Sequence, residues 1–414
     1  MTRRLPRTPG GLASATVVIA VLLGPAAPSW ARDQGPELSG FVGSEVRVFF
    51  EEPKFDGQFD DPLAGVQPSL LAEPELSYDS QDRRHQFNLA PFLRLDARDG
   101  DRSHVDLREG YWRYVDGDWE VLLGVNRVFW GVTESRHLVN VINQIDAVED
   151  IDEEDFLGQP MVNLATQQDW GRLDLFVMPG FRERTFPGRN GRLRPGIPVD
   201  EDAAQYDSEL GRGQPDTALR YSHFLGDFDI GAYYFYGNGR EPRLVPGGRG
   251  TRLEPRYDLI HQGGLDLQYT DEAWLWKLEA IVREGQGDNF GAVVAGVEYT
   301  FFQAFETAAD LGLLSEFLYD GRDDDDAPPT AFDEDVFFGT RLALNDVQDT
   351  TALLGAVVDV QDGTTALFFE AERRLGDSWK LELEVRAFLG VDDGNVTRNF
   401  ENDDFALLRL SYFF

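Results

Sequence analysis

The chain has 414 residues, 74 acidic side chains against 38 basic ones, a formal net charge of −36 and no cysteine. The missing thiols exclude a disulfide framework and any thiolate metal or redox centre. The acidic balance excludes a nucleic-acid-binding surface. The 30 Phe, 13 Tyr and 8 Trp residues would suit a soluble secreted globule as well as a membrane protein, so aromatic content alone decides nothing and the periodicity below decides more.

Residues 1–31 open with Arg3, Arg4 and Arg7, run through GLASATVVIAVLLG and reach APSWA, with small Ser29 and Ala31 at the −3 and −1 positions. That order predicts a secretory signal peptide cleaved after Ala31. Its apolar run falls short of the roughly 20 residues that span a bilayer. Residues 32–414 then form one β-domain, and the stretch RDQGPELSG before its first strand is too short for a plug.

Alternating apolar and polar residues predict strands at 41–51, 68–78, 85–98, 103–116, 118–130, 161–168, 171–181, 217–225, 228–237, 257–271, 273–285, 289–303, 309–321, 334–346, 349–361, 363–375, 378–391 and 402–414. Trp379, Leu381, Leu383, Val385, Ala387 and Leu389 alternate with Lys380, Glu382, Glu384 and Arg386. Strands in soluble sheets average about five or six residues, whereas strands of ten or so fit a tilted bilayer crossing. The segments 68–78 and 161–168 are the weakest, so the expectation is an all-β, antiparallel up-and-down transmembrane barrel of 16–18 strands.

The turns carry a second regularity. VDGDWEV, QQDWGRL, LGDFDIG, TDEAWLW and LGDSWKL each place an aromatic just after a short Asp-bearing turn. Rings collect at the membrane interface, and an even strand number puts all five turns at one end. Long polar segments, 182–216 and 237–256 among them, fall at the other. In DDDD at 323–326 the spacing predicts a solvated loop tip rather than a calcium site.

Positions expected to face the lumen are Glu45, Arg47, Arg94, Asp96, Asp106, Arg108, Glu120, Asp266, Lys277, Glu279, Glu298, Glu382, Glu384, Arg386 and Arg409. Charges of both signs there keep a channel wet. The segment 130–160 is the candidate for narrowing it. Leu138, Val141, Ile142 and Ile145 follow helical spacing and predict a short amphipathic helix. The other face offers Arg136, His137, Asn140, Asn143 and Asp146, with Glu149 and Asp150 in the acidic run beyond. Asn140, Asn143 and Asp146 are expected to project into the passage.

The chain ends FALLRLSYFF, with Leu408, Leu410, Tyr412 and Phe414 on one face of the last strand. That row matches the signature by which barrel-assembly machinery captures outer-membrane proteins through strand addition. The hairpin LREGYWRYVDGDWEVLLGVNRVFWG at 107–131, followed by VNVINQIDAVED and LGQPMVNL, resembles a porin-like outer-membrane β-barrel family of Gram-negative bacteria, uncharacterised and distantly similar to alginate-export porins. The resemblance implies a channel with no cofactor. Val125 and Asn126 stand where relatives often carry Arg-Gln, which counts against a polyanion as solute.

The functional expectation is passive diffusion of small hydrophilic solutes or ions, not anion-preferring, across an outer membrane and its lipopolysaccharide; the acidic surplus would attract cations to the mouth, or equally reflect a salty habitat or loops bridged to lipopolysaccharide by divalent ions. A homo-oligomer stays open. The alternatives are a transporter of hydrophobic compounds and a structural or adhesive barrel. No G-x-S-x-G occurs and the five histidines show no diagnostic spacing, so neither catalytic nor metal residues are expected.

Overall fold

The computed structural model describes residues 35–59, 65–323 and 325–414. The expected signal peptide lies outside these residues, as does Asp324 of the DDDD run. Twenty-one strands follow one another: β1 (Glu37–Phe49), β2 (Val66–Asp79), β3 (His85–Asp96), β4 (Val105–Asp116), β5 (Trp119–Asn126), β6 (Gln159–Gln168), β7 (Gly171–Met178), β8 (Gln205–Tyr206), β9 (Asp216–Leu225), β10 (Phe228–Asn238), β11 (Arg243–Gly247), β12 (Arg252–Tyr257), β13 (Leu259–Asp271), β14 (Trp274–Glu284), β15 (Phe290–Phe301), β16 (Asp310–Asp320), β17 (Glu334–Ala343), β18 (Thr351–Asp359), β19 (Thr365–Leu375), β20 (Trp379–Leu389) and β21 (Phe405–Phe413). Eighteen form one antiparallel sheet in sequential order, closed where β1 pairs with β21. The short β8, β11 and β12 make a separate sheet in the segments that join β7 to β9 and β10 to β13. Every expected strand has its counterpart in the barrel, including 68–78 and 161–168.

The barrel's two faces follow from the period of two. Outward positions are apolar and exposed: Leu95, Leu123, Leu175, Leu219, Leu265, Val282, Leu313, Phe317, Leu354 and Leu383 are all more than a third accessible. The rings after the tight turns, Trp119, Trp170, Phe228, Trp274 and Trp379, are exposed at the same end of the barrel. Leu408 and Phe414 are exposed in the last row, while Phe405 and Leu407 are buried on the opposite face.

One irregularity re-aims the wall. Ala90 pairs with Glu109 but the next residue, Pro91, pairs with Leu107, so β4 holds an extra residue at Arg108. This β-bulge lets Arg108 and Glu109 both turn to the lumen, where Arg108 donates to Asp146 and Glu109 accepts from Asn88.

Candidate channel constriction

The segment joining β5 to β6, residues 127–158, folds back into the barrel and meets inward side chains on many strands. Arg47 of β1 pairs with Asp150 at 2.5 Å, Arg94 of β3 with Glu149 at 2.5 Å and Arg108 of β4 with Asp146 at 2.7 Å. Across the lumen, Glu279 of β14 accepts from the backbone N–H groups of Val132, Thr133 and Val139 at 2.6, 3.0 and 3.1 Å. Its Oε1 also accepts from the Thr133 hydroxyl at 2.7 Å. Glu316 of β16 accepts from Glu134 N, Ser135 N and Ser135 Oγ.

This arrangement explains why the expected short helix at 138–145 does not form. The apolar spacing is used, since Leu138, Val141 and Ile142 pack with inward Phe235, Ile260, Leu318 and Phe337 of the wall. Val139 N–H is taken by the wall carboxylate of Glu279, Ile145 N–H by the Gln144 side chain and Asp146 N–H by Asp155 O instead of by carbonyls one turn earlier, which offers an extended chain what a helix would supply internally. Asn140 Oδ1 accepts from Trp130 N and Gly131 N, and Asn143 bridges Val128 N, Asn126 O and Leu157 O. Asn143 and Asp146 are buried in these bonds and do not project into open space. Where the segment rejoins the wall, a Cβ on Gly158 would lie 2.1 Å from Leu107 O, so only glycine fits against the bulged strand.

The remaining expected residues have these places. Glu45 is 1% exposed and accepts from three guanidinium groups, those of Arg94, Arg102 and Arg409. Asp96 pairs with Arg102, and Asp106 with Arg182. Glu120 takes Arg113 and Arg172, and Asp266 takes Arg220. Lys277 stands 3.8 Å from Glu134 and 4.0 Å from Glu298. Glu382 takes Lys380, and Glu384 takes Arg386. Arg136 bonds Asp320 at 3.0 Å and lies 3.8 Å from Glu241. His137 lies 3.8 Å from both Glu279 and Glu154.

Sequence reading missed three groups that hold the segment. Arg102, in the loop after β3, donates to Val148 O and Glu149 O. Arg240, just past β10, donates twice to Ile142 O. Glu241 gathers Arg283 and Arg322 at 2.9 Å each. Each sits in a polar loop stretch whose pattern is indistinguishable from a solvated tip.

His104, Asp146 and Glu149 place ligand-type atoms within 4.8 Å of one another. Arg108 and Arg94 already occupy those carboxylates, so the cluster is complete as an ion network. Burial disfavours a charged His104 ring, yet Asp146 and Glu149 outweigh it and raise its pKa. Burial likewise opposes the Asp146 anion, but His104 and Arg108 prevail and lower its pKa to about 2. The open acids of the segment lie further on, where the side chain of Glu154 is 62% exposed and Asp155 is exposed. Enclosure by surrounding protein, and then the Glu149 charge, push Asp155 up to about 7 even though its side chain keeps accessible surface.

No family model matches the chain, and no curated protein matches it in sequence. Among solved structures it is similar to Wzi of Escherichia coli, an outer membrane protein involved in group 1 capsule assembly and described as a carbohydrate-binding β-barrel, with a TM-score of 0.51, 7% identity and coverage of 89% of this chain and 83% of that one. It is similar to OccD3 (OpdP) of Pseudomonas aeruginosa with a TM-score of 0.51, 10% identity and coverage of 91% and 90%. At such identities the likeness is one of architecture: the chain has the fold of outer-membrane β-barrels.

Proposed function

We propose that the protein is an outer-membrane channel of a Gram-negative bacterium for passive diffusion of small hydrophilic solutes or ions, with a preference for cations. The apolar exterior and the ring of aromatics at the tight-turn end suit a bilayer. The observation that carries the reading is the chemistry left unburied inside. Beside the open side of the inward segment, the side chains of Glu370 and Glu154 are 45% and 62% exposed. Asp152 and Glu384 flank Arg386 there, so carboxylates outnumber bases along that wall. A negative lining concentrates cations and repels anions, an effect that salt screens.

Most charges expected to select ions are neutralised by guanidinium groups, so Asp146, Glu149 and Asp150 act as anchors for the segment. Selectivity in this reading rests on Asp152, Glu154 and Asp155. The decisive experiment is single-channel recording in a planar bilayer across a salt gradient at low ionic strength. A cation-directed reversal potential is expected, and an anion-directed one overturns the reading.

A second reading, a structural barrel, is favoured by the apolar core that Leu138, Val139, Val141 and Ile142 form inside the lumen with the wall. Absence of conductance in the same recordings would select it. The C-terminal row Leu408, Leu410, Tyr412 and Phe414 serves in this proposal as the signal read by the barrel-assembly machinery.

A further inference from the structure

The segment 179–215, which joins β7 to β9, does not stay above its own strands. It reaches across the loop-bearing mouth to the seam between β1 and β21, although β6, β5, β4, β3, β2 and β1 stand between β7 and β21 around the wall. Its flanks are pinned: the Thr185 hydroxyl donates to Asp146 Oδ1 at 2.7 Å, and Val199 bridges to Leu253. Residues 187–196 between those pins form neither strand nor helix.

The tip is held from several sides. Arg192 donates to Asp403 Oδ1 at 2.5 Å, both side chains 1% exposed, and to the carbonyls of Asn402 and Glu51 at 2.5 and 3.3 Å. Asp403 Oδ2 accepts from Leu193 N at 2.9 Å, and Asp99 Oδ2 accepts from Gly188 N at 2.9 Å. Leu193 packs with Phe49, Phe59, Phe405 and Leu407, apart from the core made by the inward segment. The cavity between Pro187, Arg192 and Leu193 above and Val148, Glu149 and Asp150 below is only about 10 Å³, no more than a single water molecule requires. No hydrated ion passes there while the tip is down.

We propose that residues 187–196 are a lid, closed in this structure over the mouth above β1, β3 and β21 and latched by the Arg192–Asp403 ion pair. The tip has no strand ladder to hold it. Its bonds run singly to the loops after β1, β3 and β20, and elements held in that way are among the first to open in a folded protein. Leu193, buried and at φ 55°, occupies the left-handed region, and that strain is released when the tip lifts. Resting on the channel reading above, the lid is an outer gate in series with the inward segment. It bears on residues 147–150, which meet the outside only once it has lifted, and Thr185 and Val199 serve as its hinges.

The test uses the folded full-length barrel in detergent. The chain has no cysteine, so Val148→Cys reports from under the lid, where Val148 is 4% exposed. Reaction with a charged thiol reagent is expected to be slow in Val148→Cys alone and at least about tenfold faster when Arg192→Met or Asp403→Asn is added. Arg192→Lys, which keeps a cation against Asp403, should fall between, and Arg189→Met, exposed on the same loop, should change nothing. The unfolding temperature of the barrel should stay that of the parent, because the lid opens before the wall unfolds. In planar-bilayer recordings the parent current should step between two levels, with longer dwells at the upper one in Arg192→Met. Fast labelling of Val148→Cys alone, equal rates with and without the latch substitutions, or faster labelling only alongside a lowered unfolding temperature overturns the lid. So does a parent current with a single level. Absence of any current overturns the channel reading alone, since the labelling result stands without it. Should one latch variant fail to fold, the other gives the rate.

Discussion

Glu279→Gln is the sharpest test of how the inward segment is held. Four donors converge on this carboxylate, three on Oε1 and Val139 N–H on Oε2. Hydrogen bonds to a charged group contribute about 1.5–3 kcal/mol each against roughly 0.5–1.5 for neutral ones. An amide keeping its oxygen at the Oε1 position demotes three bonds by about 1 kcal/mol each and sets its NH₂ against Val139 N–H, a further loss of about 1–3 kcal/mol. Allowing for non-additivity, the segment should lose about 3–5 kcal/mol of docking free energy. That raises the frequency of its undocking by a factor of at least about 100. The β14 ladder is untouched, so the barrel itself should remain assembled. The assay is proteolysis of the folded barrel at residues 127–158 together with noise in single-channel current. Proteolysis and current traces identical to the parent's would refute the reasoning. A pH limit accompanies this docking. Burial opposes a charged His137, but Glu154 and Glu279 outweigh it and raise its pKa from the ordinary 6.5 to about 9. A raised pKa stabilises fully below 6.5 and is lost as pH climbs through about 9, so the parent should also begin to undock there.

Arg94→Met should leave the buried Glu149 with only His104 at 3.7 Å, while Glu45 keeps Arg102 and Arg409, and cost about 3–5 kcal/mol, read as a lower unfolding temperature of the folded barrel; an unchanged temperature would discount the ion network. Cation preference should increase from pH 6 to pH 8 as Asp155, with its pKa of about 7, ionises, and the increase should vanish in Asp155→Asn when reversal potentials are compared. Deleting Phe414 removes an outward ring and the N–H bonded to Gly40 O at 3.1 Å; surface levels should fall and periplasmic degradation rise, and normal surface levels would count against the assembly-signal reading.

The wall was legible because a half-buried strand writes its two faces into alternate letters. Even the weak spans 68–78 and 161–168 have their strands, β2 and β6. The inward segment was legible only in part. The apolar spacing of Leu138, Val141 and Ile142 marks a buried face, yet their helical period did not survive. Glu279 lies 140 residues from Val139, and no local pattern announces that a distant carboxylate will take a backbone donor. Period-two reading also failed at the β-bulge, where Glu109 joined Arg108 inside. Arg102 and Arg240 escaped because a loop arginine that buries itself looks the same in sequence as one that stays in water.

The seam between the first and last strands has a consequence for the order of assembly. Glu45 and Arg409 meet across it, 364 positions apart in sequence. The same Glu45 also receives Arg94 and Arg102, which grip Glu149 and its carbonyl. Closing the cylinder before residues 127–158 have entered would leave Arg47, Arg94, Arg102 and Arg409 facing only Glu45 and Asp96, with excess positive charge sealed inside. Contacts of such long range form late and slowly. The nascent barrel therefore has reason to stay unzipped until its inward segment is seated, and the final zipping step doubles as a check that the interior has been filled.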